Sequence, residues 1–284
     1  MTQRAEVYDT RACELGEGPL WHPERQQLFW FDIVGNRLMT RDGKDALSWS
    51  FDEHHSAAGW IDRETLLIAS ETGLWRFDIA SGDRELVAAL EADNPVTRSN
   101  DGRADPMGGF WIGTMGKSAE PHAGAFYRYY RGELRQITDR ITIPNALCFS
   151  GDGRTGYYAD TIEKRVYRHA LDSDGWPEGP AEVFLDLTED GLNPDGAVID
   201  AEDHLWLALW GAGRVARYRP DGTLVQEVEV GGRNASCPAF GGADLTTLFV
   251  TTAQEGLRNP GPAEGRVYCA TAVGQGRAEA RVVL

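Results

Sequence analysis

The sequence predicts an all-β protein folded as a six-bladed β-propeller, on three observations. Six short hydrophobic runs recur at intervals of roughly 38 to 50 residues. Most are followed by a second alternating run, and helical patterning is nearly absent. Radial repetition accounts for such a period and leaves only short sheet edges, whereas a sandwich or a pair of barrels gives no reason for it.

The runs in order are LFWFDI from Leu28, LLIAS from Leu66, GFWIGTM from Gly109, TGYYADT from Thr155, HLWLALW from His204 and TLFVTTA from Thr247. Their partners are GNRLMTRD, TGLWRFDIASGD, GAFYRYYRGE, KRVYRHALDSDG, GRVARYRPDG and GRVYCATAVG. Each pair reads as a hairpin of alternating residues bounded by Gly, Asp, Asn or Ser. The best helical stretch, DRELVAALEAD, also reads as a strand running into a loop. No boundary interrupts the repeats, so residues 1–284 are expected to form one domain.

The 33 glycines lie scattered in turn dipeptides, as many short elements joined tightly require. Lys and Arg number 28 against 44 Asp and Glu, a formal charge of -16 that argues against nucleic acid or an acidic membrane surface as partner. The N-terminus carries no apolar signal-like core, and no apolar run is long enough to span a bilayer. Cys13, Cys148, Cys237 and Cys269 show no metal or redox spacing. Unpaired thiols embedded in strands fit a reducing cytoplasm, which is the expected location.

The position some ten residues ahead of each hydrophobic run is where polar chemistry recurs. It falls at Glu17 in LGEGPLW, at Ser56 or a neighbour, at Asn100 in TRSNDGRAD, at Asn145 in TIPNALCF, at Asp195 in NPDGAVID, and at Cys237 or Pro238. Singly these are turn residues. Recurring at one phase of a propeller, Glu17, Asn100, Asn145 and Asp195 converge on the central channel. Buried oxygen groups need a partner, and a divalent cation supplies one. An all-oxygen set suits a hard ion such as Ca²⁺, Mg²⁺ or Mn²⁺. The six histidines form no H-x-x-x-H pair, and no G-x-S-x-G elbow is present. His54 and His55 are adjacent, so on a strand they point to opposite faces, and one of them is a candidate for the channel wall near Ser56.

The blocks LGEGPLWHPERQQLFWFDI, RSNDGRADPMGGFWIGTMG, IPNALCFSGDGRTGYYADT and NPDGAVIDAEDHLWLALWG resemble, in order and spacing, those of the gluconolactonase, regucalcin (senescence marker protein) and luciferin-regenerating enzyme family. The resemblance runs from about Glu14 to Ala253. It implies a propeller with one divalent metal in the channel, held by Glu17, Asn145 and Asp195. It also implies substrate contacts from Arg98 and Asn100, with Asp101 following. Ca²⁺ is the first expectation, with Zn²⁺, Mn²⁺, Mg²⁺ and Fe²⁺ open. Some animal members carry an acidic pair after the G-T-M block, where this chain has Gly116, Lys117 and Ser118. The animal substrate preference is therefore not carried over.

These readings point to hydrolysis of sugar (aldono-) lactones, with Asp195 as general base and the lactone as small-molecule partner. A calcium-binding propeller without hydrolase activity, and an esterase or phosphotriesterase on the same site, are the alternatives. A monomer or weak homo-oligomer is expected.

Overall fold

The computed structural model describes residues 2–284, and the statements below refer to them. The chain begins with two short strands, β1 (Thr2–Arg4) and β2 (Glu6–Asp9). Six antiparallel sheets follow, each built from the axis outward. The first holds β3 (Gly16–His22), β4 (Gln27–Asp32), β5 (Arg37–Asp42) and β6 (Asp45–Ser50). The second holds β7 (His55–Asp62), β8 (Thr65–Ser70), β9 (Gly73–Asp78) and β10 (Arg84–Ala89). The third holds β11 (Thr97–Ala104), β12 (Phe110–Gly116), β13 (Gly124–Tyr130) and β14 (Glu133–Ile141). The fourth holds β15 (Pro144–Phe149), β16 (Thr155–Asp160), β17 (Arg165–Leu171) and β18 (Pro177–Asp186). The fifth holds β19 (Asn193–Ile199), β20 (Leu205–Trp210), β21 (Arg214–Tyr218) and β22 (Leu224–Glu229). The sixth has β23 (Asn234–Gly241), β24 (Thr247–Ala253) and β25 (Val267–Thr271), and its fourth strand is β2. The N-terminal segment thus closes the ring, and β1 extends the fifth sheet by pairing in parallel with β22.

All six hydrophobic runs of the sequence are second strands, and their partners are third strands. The stretch around Leu86 is the outer strand β10, so its strand reading is the correct one. Helix is confined to a 3₁₀ turn at Thr161–Glu163 among the described residues, and no helix there is long and apolar enough to cross a membrane.

Burial falls from the axis outward. Every residue of β15 and β23 is buried, whereas β6 and β18 are largely exposed. The core is accordingly divided into six wedges, one between each pair of neighbouring blades, rather than gathered at the centre. Trp30 and Trp206 are the largest fully buried side chains and fill two of these wedges. Apolar matter is spent between blades, which leaves the axis free for polar groups.

Two turn locks share one spacing. Asp105 accepts from the Trp111 indole (2.9 Å) and Arg128 Nε (2.7 Å), and Asp200 does the same with Trp206 (2.9 Å) and Arg217 Nε (2.8 Å). Both aspartates also accept backbone N–H groups of their own β-turns. They fix the junction of first and second strands in the third and fifth blades.

The segment after β25 has no regular structure and crosses the end of the axis where the inner strands finish. Its backbone bonds Ala201, Leu245, Trp60 and Gly108, in four different blades. Glu279 from this strap forms a buried ion pair with Arg103, which rises from β11. The other end of the axis is open.

Candidate active site

At the open end, the first residues of the inner strands line a cavity of about 330 Å³. The size suits a small organic ligand. Glu17 reaches it from β3, Arg98 and Asn100 from β11, Asn145 from β15 and Asp195 from β19. The structure therefore brings together five of the residues singled out in the sequence.

They do not share one phase. Each inner strand carries a register shift at this level, so an extra residue stands against the second strand. Glu17 and Asn145 are the last paired residues before the bulge, whereas Asn100 and Asp195 lie inside it. On a regular strand neighbouring phases face opposite ways. The bulge turns both phases toward the axis. The residues after Glu17 and Asn145 adopt the left-handed conformation, Gly18 at φ 53° and Ala146 at φ 59°. Gly18 has no alternative, because a Cβ there would lie 2.2 Å from the Ser56 carbonyl oxygen.

The polar chain across the site runs in one direction. Arg98 Nη1 donates to the Ser99 carbonyl and to Asn100 Oδ1, both at 2.8 Å. Asn100 Nδ2 donates to the Pro144 carbonyl (2.9 Å) and Asn145 Oδ1 (3.1 Å). Asn145 Nδ2 donates to Thr161 Oγ1, whose own proton goes to the Pro194 carbonyl, each at 2.8 Å. Thr161 is held by the 3₁₀ turn, which Asp160 caps while also accepting from Thr142 and Ile143 N–H. This sequence of donors fixes the Asn145 amide and leaves an Oδ1 lone pair for the axis. Both N–H bonds of Asn100 are used by the protein, so Asn100 orients its neighbours, Arg98 and Asn145.

Glu17 and Asp195 are each 5% exposed. Neither forms an ion pair among the described residues, and Glu17 accepts only the N–H of Gly18. Burial, followed by the charge of Asp101, pushes Glu17 up to about 8. Burial, then Glu17 and Asp101, push Asp195 well above the ordinary carboxylate range. Two uncompensated buried carboxylates beside an oriented amide oxygen form a donor set that fits a hard divalent cation. The tightest carboxylate and histidine group lies elsewhere, at Asp200, Glu202 and His204, with ligand atoms within 4.8 Å of one another. Its geometry could admit a cation, but Arg217 already donates to Asp200 and Glu202, both at 2.6 Å. The axial set has no such counter-charge in contact with it.

Other residues fall differently. Asp101 is off the cavity wall, and its carboxylate accepts the Leu147 N–H (2.8 Å), joining the third blade to the fourth. Ser56 donates to Ser99 Oγ (2.7 Å) and Ser236 to the Gly16 carbonyl (2.5 Å), so these inner hydroxyls also bridge blades. Cys237 is buried beneath the carboxylates, and burial raises its thiol pKa strongly. Neither histidine lines the cavity: His55 stacks on Phe51 at 4.0 Å, and His54 bonds Asn36 Oδ1 at 2.6 Å. Lys117 and Ser118 do line the mouth, where Lys117 pairs with Glu71. Thr161, Trp210 and Glu255 also line the wall and were not singled out in the sequence. Thr161 ends the fourth hydrophobic run and Trp210 the fifth, a position that signals proximity to the open end.

Residues 15–254 match the family described as the SMP-30/Gluconolactonase/LRE-like region. The chain belongs to this family. A Rhizobium meliloti (strain 1021) protein assigned by name to the sugar lactone lactonases is 41% identical over 87% of this chain and 84% of its own. A pentonolactonase of Haloferax volcanii is 34% identical over 97% of this chain and 96% of its own. Among solved structures, a calcium-binding protein named regucalcin from Agrobacterium tumefaciens superposes with a TM-score of 0.97 at 40% identity, covering 100% of this chain and 99% of that one.

Proposed function

We propose that the protein is a carboxylic-ester hydrolase that opens sugar lactones to the corresponding sugar acids with the help of one divalent cation. The observation that carries this reading is the pair of buried, unpaired carboxylates, Glu17 and Asp195, beside the oriented Asn145 oxygen in one open cavity. The sugar lactonases among the relatives supply the substrate class.

A cation held by Glu17, Asn145 and Asp195 would supply Lewis-acid polarisation of the ester carbonyl and keep both carboxylates ionised. Asp195 then accepts a proton from the water that adds to the carbonyl carbon. As the bond from that carbon to the ring oxygen breaks, the same proton passes to the ring oxygen, leaving a hydroxyl and a carboxylic acid. Arg98 keeps Nε and Nη2 free of protein partners, so these donors are available to an oxygen of the ester. Leu15, Met115, Ile143 and Trp210 form the apolar part of the wall and limit water around the reacting ester.

The regucalcin neighbour favours a second reading, a calcium-binding propeller without turnover. One experiment separates the two. The protein is stripped with a chelator, reloaded with Ca²⁺, Mn²⁺, Mg²⁺, Zn²⁺ or Fe²⁺ in turn, and assayed on pentono- and hexonolactones beside an aryl ester and a phosphotriester. Lactone turnover that disappears on stripping and returns with an ion supports the proposal. Full turnover without metal overturns the metal-dependent mechanism, and ion binding with no hydrolysis supports the second reading. Free thiols at all four cysteines suit the cytoplasmic location proposed with it.

A further inference from the structure

The hydrogen bonds of the cavity wall leave four polar groups unanswered among the described residues, two of them charged. Asn100, Asn145 and Thr161 bond one another. Lys117 is paired with Glu71. Glu17 and Asp195 lie at the buried floor as the candidate cation ligands. What remains is the Ser118 hydroxyl, the Trp210 indole N–H and the two charged groups: the donor face of Arg98 and the carboxylate of Glu255, which has no hydrogen-bond or ion-pair partner among the described residues.

Glu255 sits just after β24, in the sixth blade. Its backbone is held at both ends: its N–H donates to the Glu14 carbonyl (2.9 Å), and its carbonyl accepts from Asn234 Nδ2 (3.0 Å). The preceding Gln254 N–H bonds the same Glu14 carbonyl. The side chain is therefore presented from fixed backbone, half-exposed, at the mouth. It lines the same cavity as Arg98. Of the charges that keep this buried guanidinium protonated against desolvation, Glu255 is the largest, ahead of Glu17, Glu71 and Asp195.

A free donor face beside a free acceptor-only group has a defined complement: a ligand with an acceptor next to a hydroxyl. The ester carbonyl of a lactone and the hydroxyl on the neighbouring carbon have this arrangement. We propose that Glu255 is a specificity-determining residue that accepts a hydrogen bond from the hydroxyl adjacent to the lactone carbonyl, while Arg98 donates to the ester. The inference rests on the lactonase reading above. It places the carboxylate contact in the sixth blade, on the other side of the ring from Lys117 in the third.

The test uses the metal-loaded full chain, aldonolactones, and three simple substrates: γ-butyrolactone and its α-hydroxy and β-hydroxy derivatives. The wild type should favour the α-hydroxy lactone over the parent by about 10- to 100-fold in kcat/KM, the effect of a hydrogen bond to a charged group. Glu255→Ala should bring that ratio to within about threefold, mainly through KM, while Glu255→Gln, which keeps an acceptor, retains part of it. Cation affinity by calorimetry should be unchanged in both variants. An unchanged ratio in Glu255→Ala, or a wild type indifferent to the α-hydroxyl, overturns the proposal. So does loss of cation binding, which would make Glu255 a ligand, or loss of kcat at constant KM, which would place it in the chemistry. If the wild type turns over no lactone, aldonolactones included, the lactonase reading falls and this inference with it. Failure of the inference alone is seen against normal aldonolactone turnover.

Discussion

Glu17 lends itself to a quantitative test in the metal-free protein. Burial and the neighbouring Asp101 hold its folded pKa at about 8, against 4.5 for an ordinary glutamate. Between those values the folded chain retains a proton that the unfolded chain has released. Raising the pH therefore favours unfolding, and the slope approaches about 1.4 kcal/mol per pH unit for one such group. His22, His54 and His55 work in the opposite sense, since burial lowers all three, His55 to about 4. Their contribution rises with pH but is complete near the ordinary histidine value of 6.5. Asp101, raised to about 6, also finishes below that point. From pH 6.5 to 8 the Glu17 contribution stands alone with that of Asp195, and one group is worth about 2 kcal/mol over this interval. In a chain of this size that lowers the melting temperature by about 3 °C. The assay is thermal or urea unfolding of chelated wild type and Glu17→Gln at pH 6.5, 7, 7.5 and 8, repeated with saturating divalent ion. Wild type should lose stability with pH faster than Glu17→Gln, and the stabilisation added by the ion should grow with pH. Equal slopes for the two chelated proteins would refute the assignment of Glu17 as a buried, uncompensated carboxylate.

Three further outcomes are expected. Asp195→Asn should lower kcat on a lactone by about 100-fold or more with little change in KM; an effect confined to KM would remove Asp195 from the role of base. Gly18→Ala forces a Cβ to 2.2 Å from Ser56 O in a left-handed turn, so calorimetry should show weaker cation binding and urea unfolding a loss of about 2–4 kcal/mol. Glu279→Ala strands Arg103 at the strapped end and should cost about 3–5 kcal/mol in urea, most of it recovered when Arg103→Met is added; an additive double variant would show that the pair is not coupled.

The repeat was legible because the second strand of each blade packs in two wedges at once and must be largely apolar, a demand that six separate segments meet. Outer strands answer to one wedge and to water, so Leu86 and its neighbours carry a pattern that helix and strand share. The site was visible as oxygen side chains at the entry to inner strands, but a count along the chain cannot register a bulge. It therefore merged two phases that the backbone keeps distinct in Glu17 and Asp195. Asp101 shows the opposite limit: its place beside Asn100 suggested a ligand contact, while the neighbouring blade offered its Leu147 N–H. Glu255 lies two residues past the second strand of its blade, the place that Ser118 holds in the third, but only the entry to the inner strands was searched for polar residues. The paired Asp–Trp locks did have one, the shared spacing of Asp105 to Trp111 and Asp200 to Trp206.

The closing strand has a consequence in time. Glu6 of β2 pairs with Cys269 of β25, so the sixth blade joins an early strand to the last one. During synthesis β2 emerges before the strands of the first five blades, and its partner β25 after them. Five blades can assemble while both the first segment and the edge of the sixth sheet wait with unpaired backbone. Bringing together ends some 260 residues apart carries a loop-closure cost of about 5 kcal/mol if the chain between is unstructured, and far less once five blades have curved it into an arc. Ring closure then follows the assembly of the first five blades, and the cavity at the axis is fully walled only afterwards.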